Sequence, residues 1–313
     1  MDVDRPWDPS HLELERPERV TMLEDWGPAA AGPTALSPVA ITSPFRVLSD
    51  RGAETLAEIC AALEADATSM DRIPKMMRGS LYRSAWMRGF YTDPRLVRFV
   101  SEIMQADIRP HPASHHAVHI NFAPEDLGRH VDQWHRDSVS FDFVLLATDP
   151  AGMRGGRFQY FVGSVEEGRA LLEAGPLPPE RVRSVEFPAA GYAVLQQGHR
   201  VLHRAARLEA PHPRVTVVGS YWCPHPTIPD PTDLDTLLAA DGHDVAVVEW
   251  SRYQAEVAIE RLRRFAESGT ALDRPVADVR ADLAGAVAEL EEAVAAFDRT
   301  DRGRAISFGD GDA

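Results

Sequence analysis

Residues 130–141 read HVDQWHRDSVSF. Two histidines, two aspartates and an arginine stand among Trp134, Val139 and Phe141. A strand entering a core does not carry so many ionisable groups unless they are satisfied or at work. Residues i and i+2 of a strand share a face. His135 and Asp137 should therefore point one way, and Trp134 and Arg136 the other. An imidazole and a carboxylate side by side supply two legs of a metal site. A mononuclear facial triad needs one further histidine and leaves the opposite face of the metal open. His203, in GHRVLHRAARL, lies 66 residues beyond Asp137 and is the candidate. Arg214 follows 11 residues later and opens the strand RVTVVGSYW, with Thr216, Val218 and Ser220 on its face. A buried guanidinium needs an anion. A ligand carboxylate would satisfy it by a bidentate contact, with Thr216 adding a hydrogen bond. His130 and Asp132 follow the loop-like DLGR and fall on the Trp134 face, so they read as lead-in polar residues.

These residues need a scaffold. From Pro112 to Cys223 the chain runs in short, β-branched or aromatic segments (SHHAVHINFA, FDFVLLAT, RFQYFVG, RVRSVEF, GYAVLQQ, RVTVVGSYWC) separated by Gly, Pro and Asp. That texture predicts an all-β sandwich or barrel of about eight strands. One helix interrupts it at 164–175, with Ser164 as its cap. Helical periodicity marks 51–66 and 93–108, the latter with Asp93 as N-cap and Pro94 in its first turn. It returns in SRYQAEVAIERLRRFAESG and VADVRADLAGAVAELEEAVAAFDR. The expected plan is an extended Pro-rich and acidic leader over 1–45 and a helical flank over 46–111. The β core follows over 112–223, then a helical flank with a fraying acidic tail over 224–313.

His135-x-Asp137, His203 and Arg214-x-Thr216 together resemble the iron(II)/2-oxoglutarate-dependent dioxygenases, and most closely their phytanoyl-CoA-dioxygenase-like branch. The resemblance covers about residues 112–223. It implies a double-stranded β-helix, a jelly roll flanked by N- and C-terminal helices. It implies that His135, Asp137 and His203 hold Fe(II), that Arg214 and Thr216 hold the far carboxylate of 2-oxoglutarate, and that O2 is the co-substrate. Succinate and CO2 would be released as a bound substrate is oxidised. In relatives that halogenate, a small residue replaces the carboxylate ligand to admit halide. Asp137 therefore implies hydroxylation or a related oxidation. His119, Asn121, Gln133, Gln159 and Tyr160 are the expected substrate contacts.

Other features have plainer readings. His115, Ala117, His119 and Asn121 would share one face of a strand and either line the cavity or be satisfied core polar groups. His199 and His203 lack the intervening glutamate of a helical zinc protease. Cys223 and His225 lack two further zinc ligands. The glycines of GGRFQYF read as hairpin glycines, and ERLRRF as a solvated helix face. A non-enzymatic cupin-type metal or small-ligand binder is the competing class, but it has no need of a buried arginine beyond its last ligand.

With 33 basic and 48 acidic residues, the net charge is −15. Such a field disfavours nucleic acid and anionic membrane surfaces as partners. No apolar run reaches the roughly 20 residues that span a bilayer. The acidic N-terminus lacks the pattern of a signal peptide, and two cysteines suit a reducing cytoplasm. An acyl-CoA would want a basic mouth, which only KMMRGSLYR (75–83) offers. The expected partner is a small molecule such as an amino acid or secondary metabolite, with a role in biosynthesis.

Overall fold

The computed structural model describes residues 3–225, 227–267 and 275–311. Thirteen strands form two antiparallel sheets among them. The first five strands are β1 (Val20–Met22), β2 (Val39–Thr42), β3 (Phe45–Arg46), β4 (Met76–Met77) and β5 (Arg109–Pro110). Eight more fall where the sequence predicts them: β6 (Val118–Phe122), β7 (Asp132–His135), β8 (Phe141–Leu146), β9 (Phe158–Phe161), β10 (Val182–Val185), β11 (Tyr192–Gln196), β12 (His203–Ala205) and β13 (Val215–Trp222). The larger sheet runs β1-β2-β11-β8-β13-β6-β4, with β3 also on β11 and β5 also on β13. The smaller runs β10-β9-β12-β7.

Residues 3–45 form more regular structure than the extended leader expected. Val39–Thr42 pairs with β11 through Ile41 and Gln196, Val20–Met22 pairs with β2, and Leu23, Val39, Ala40 and Ile41 are buried. Strands of three or four residues among prolines carry too little periodicity to be read locally. Their order comes from pairing with distant strands.

Alternation along the larger sheet divides two environments. Phe141, Phe143 and Leu145 of β8, Ala193 and Leu195 of β11, Val217 and Tyr221 of β13, and Ile120 and Phe122 of β6 join the largest apolar cluster. Behind them pack α1 (Asp50–Leu63), α2 (Ser80–Arg83), α3 (Ala85–Tyr91) and α4 (Pro94–Met104). The intervening residues face the smaller sheet. Val144, Val194 and Val218 meet Phe158 and Val185 there, and five further buried residues of that face are polar: His119, Asn121, Asp142, Gln196 and Thr216. Burying several polar side chains on one face is costly unless each finds a partner, in the protein or in a ligand.

The expected caps form. Asp93 accepts from the Arg95 N–H ahead of α4, and Ser164 from the Glu167 N–H ahead of α6 (Val165–Ala174). The segment before β6 is a helical turn, α5 (Ser114–Ala117), so His115 does not continue the strand face of His119. Its Nδ1 lies 3.2 Å from Asp241 instead. The chain closes with α7 (Leu234–Asp241), α8 (His243–Glu267) and α9 (Val276–Ala295). ERLRRF is only partly a solvated face, because Arg261 reaches Glu289 of α9 (2.9 Å). The tail does not fray through Gly311. Phe308 N–H donates to the Trp134 carbonyl and Trp134 N–H to that of Gly309, so the tail covers the β7 edge. The last two residues of GDGDA lie outside the described set.

Candidate metal centre

β7 and β12 are antiparallel neighbours, and His135 stands directly opposite His203. Their ring centroids are 4.1 Å apart, and the His203 ring lies against Phe158. Asp137 follows the end of β7, where its N–H donates to the Gly198 carbonyl (3.0 Å). That bond turns the carboxylate between the two imidazoles. Oδ1 lies 3.4 Å from His135 Nε2 and Oδ2 lies 3.5 Å from His203 Nε2. Among the described residues this is the one group of three His, Cys, Asp or Glu side chains placed to hold a metal ion, all ligand atoms lying within 4.8 Å of one another.

The tautomers follow from the backbone. His135 Nδ1 meets the Gln133 carbonyl at 2.7 Å, and His203 Nδ1 meets the Val201 carbonyl at 2.9 Å. A carbonyl only accepts, so each Nδ1 carries the proton and each Nε2 turns a lone pair toward Asp137. Burial favours the neutral imidazoles, depressing His203 and taking His135 down to about 3. Neutral imidazole is the ligating form.

Asp142 lies beside Asp137. A Cβ at Gly198 would collide with both carboxylates, so glycine is what lets the chain pass there. Burial and the Asp137 charge hold the Asp142 carboxyl well above its ordinary range, whereas Asp137, which accepts from that acid, is held well below its own against burial. Asp142 thus carries the proton of the pair. Gln196 Nε2 donates to Asp142 Oδ2 (3.0 Å) and lies 3.2 Å from His203 Nε2.

Arg214 is almost fully buried at the same pocket. Its Nε donates to the Gly156 carbonyl (2.7 Å) and Nη1 to Thr216 Oγ1 (3.4 Å). Gly156 has φ +64°, and a side chain there would strike Leu208 and crowd Arg214 Cδ. Burial lowers the guanidinium to about 10, with Asp132 opposing.

Parity misplaces Asp132. His203 pairs with His135, but Ala205 pairs with Asp132, so β7 spends three residues where β12 spends two. Such a bulge flips the alternation and turns Asp132 into the pocket, 3.6 Å from His135 Nδ1 and 3.0 Å from Arg72 Nε. His130 stays outside, its Nδ1 accepting from the Arg207 N–H.

Of the expected substrate contacts, His119 and Asn121 line the pocket, and His119 Nδ1 and Asn121 Oδ1 are buried with no hydrogen-bond partner among the described residues. Gln133, Gln159 and Tyr160 lie elsewhere. Gln133 is bonded to Asp310 and Ser307 of the tail, Gln159 to Arg204 and Ser184, and Tyr160 stacks on Trp26. The sequence reading missed Arg72, Asp142 and Gln196. Asp142 and Gln196 were findable, being polar residues on the inward parity of apolar strands. Arg72 sits in a loop and left no signal. The basic mouth of KMMRGSLYR does not form, because Lys75, Arg78 and Arg83 pair with Glu64, Asp241 and Asp66.

The family described as HalD, halogenase D, matches residues 65–232, more than half of the chain and the whole of this centre. The chain belongs to the halogenase D family. Its superfamily is that of the non-heme iron/2-oxoglutarate oxygenases, the one the motif resembles, and the protein is an oxygenase of that kind. Within the halogenase D match, position 137 carries a carboxylate. No curated protein matches the chain. Among solved structures it is similar to EctD from S. alaskensis with bound Fe (16% identity, 72% of this chain and 88% of that one, TM-score 0.44). It is also similar to AviO1 from Streptomyces viridochromogenes Tue57 (16%, 64% and 96%, 0.42). A third is HygX from Streptomyces hygroscopicus, with nickel, 2-oxoglutarate and hygromycin B bound (14%, 60% and 84%, 0.40). Likenesses this distant decide nothing about the chemistry of this chain. Among the described residues no helix is long and apolar enough to cross a membrane.

Proposed function

We propose that this protein is an Fe(II)/2-oxoglutarate-dependent hydroxylase of a small molecule, and that it is not a halogenase despite its family's description. The observation that carries this reading is the Asp137 carboxylate between two imidazole lone pairs, 3.4 and 3.5 Å away. That donor set, two neutral nitrogens and one carboxylate, suits Fe(II). A halide needs the position this carboxylate takes. We read the facing sheets as the halves of a double-stranded β-helix, with 112–223 as its catalytic core.

His135, Asp137 and His203 would hold the iron, which with 2-oxoglutarate and O2 supplies the oxidising chemistry, with release of succinate and CO2. The protein's own residues prepare the site. The Gln133 and Val201 carbonyls orient the two imidazoles. Asp142 shares its proton with Asp137 and keeps that carboxylate in place. Arg214, with Thr216 beside it, offers a desolvated cation for the far carboxylate of 2-oxoglutarate. His119, Asn121 and the Arg72–Asp132 pair are the polar groups left over for a substrate, which favours a polar molecule such as an amino acid or a secondary metabolite. Buried, free Cys60 and Cys223 agree with a reducing cytoplasm.

The test is anaerobic addition of Fe(II) and 2-oxoglutarate. A weak visible charge-transfer band is expected, then slow succinate formation on admitting air. Chloride and bromide should leave the band unmoved. No band and no succinate would overturn the oxygenase reading, and a halide-dependent shift would overturn the exclusion of halogenation.

A further inference from the structure

The helical hairpin α8–α9 lies beyond the family match and takes no part in the site. One side of it is closed. Trp250 and Tyr253 of α8 pack with Trp222 on the protein body. The two helices hold each other through Ser251 to the Ala293 carbonyl, Gln254 to Glu292, and Arg261 to Glu289.

The other side is apolar and open. On α9 and the turn that extends it, Leu283, Val287, Leu290, Val294 and Phe297 recur at alternating steps of four and three residues, and each is 43 to 70 % exposed. This is the a/d seam of a coiled coil. On α8, Val248, Ile259 and Leu262 are 40 to 50 % exposed and continue one seven-residue frame with the half-buried Ala255. At 100° per residue the α8 stripe lies nearly opposite Tyr253, and the antiparallel α9 brings its own stripe to the same side. Single exposed apolar residues are ordinary. Two parallel seams on one face are not.

We propose that this face is a homodimer interface, in which two copies join their hairpins into a four-helix bundle about a two-fold axis. Two helices carrying one seam each are half of such a bundle, and an isologous contact supplies the other half. The area suffices. Helices about 30 Å long and about 10 Å apart present roughly 600 Å² per copy, or roughly 1,200 Å² in all, the lower bound of stable interfaces. The rim suits a like copy because it holds both signs, Glu256 and Arg263 on α8 and Arg280 and Glu291 on α9, all exposed. A membrane fits badly. Residues 243–298 hold twelve Asp and Glu against six Arg and no Lys, whereas interfacial membrane helices are rich in Lys and Arg.

Analytical ultracentrifugation of the full chain tests the proposal. The wild type should sediment at twice its 34.5 kDa mass. Leu290→Glu should raise the dimer dissociation constant at least about a hundredfold with its circular dichroism unchanged, while Arg169→Glu on α6 leaves the mass alone. If Leu290→Glu fails to fold, Val294→Ser, at a more exposed position of the same seam, should raise the constant about tenfold. A monomeric wild type at 100 µM, a dimer insensitive to both seam variants, or a monomer that co-sediments with phosphatidylcholine–phosphatidylserine vesicles would each overturn the proposal.

Discussion

Asp142, the second residue of an otherwise apolar strand, lies with its carboxyl against that of Asp137, and both crowd the hydrogen-only face of Gly198. Two carboxylates this close and this buried share a proton. The acid member then holds the ligating member in place. Outer groups of this kind are worth about 10- to 100-fold in metal affinity. Asp142→Leu should therefore weaken Fe(II) or Co(II) binding by about that factor, while Asp142→Asn, which keeps a donor, stays within a few-fold of wild type. Metal titration monitored by Co(II) absorption reads both, and equal effects of the two variants would remove Asp142 from this role.

Arg214→Ala should raise the 2-oxoglutarate concentration needed for half-maximal charge-transfer signal about 100-fold or more. Metal affinity should hold, because Arg214 precedes β13 and touches no proposed ligand. Arg214→Lys should recover only part of the loss, since an ammonium does not reproduce the fork of a guanidinium. Parallel loss of metal and 2-oxoglutarate in Arg214→Ala would point to misfolding instead.

Asp137→Gly removes the carboxylate but leaves both imidazoles anchored at Nδ1. Hydroxylation should fall by at least about 100-fold, and chloride should now perturb the Fe(II)–2-oxoglutarate band, which it does not in the wild type. A chloride-insensitive variant would mean that the position vacated at residue 137 does not admit halide.

The metal-free protein should lose stability as pH falls below about 6.5. His111 is buried, stacked on Tyr253, and bonded at one ring nitrogen to Thr232 Oγ1 and at the other to the Ala113 N–H. Burial takes it down to about 3, and His119 likewise. An unfolded histidine takes up its proton near 6.5. Between these values the unfolded chain binds protons that the folded chain refuses, so acid favours unfolding. Each such histidine adds at most about 1.4 kcal/mol per pH unit to the slope. Thermal melts from pH 7 to 4 should show a falling Tm, with a shallower fall in His111→Gln. An unchanged slope in that variant would exclude His111 as a contributor.

The sequence by itself determined the chemistry on offer: an H-x-D, a distal histidine and an arginine eleven residues on, among eight segments of strand period. Those features are local, and alternation along a strand is imposed by backbone geometry. Alternation also divided each strand of the larger sheet into an apolar row for the helices and a polar row for the pocket, so Asp142 and Gln196 were within reach of the same reasoning as Thr216. Tertiary structure alone decided the rest. A bulge in β7 reversed the side on which Asp132 emerges, because register depends on the partner strand. Arg72 joined the pocket from a loop, and Gln133 was drawn away by a tail more than 170 residues distant that lies along the β7 edge. The leader gained strands because β11 offered β2 and β3 an edge, and β2 in turn offered one to β1. Each of these outcomes rests on a contact between segments far apart in the chain, and no period within one segment records its partner.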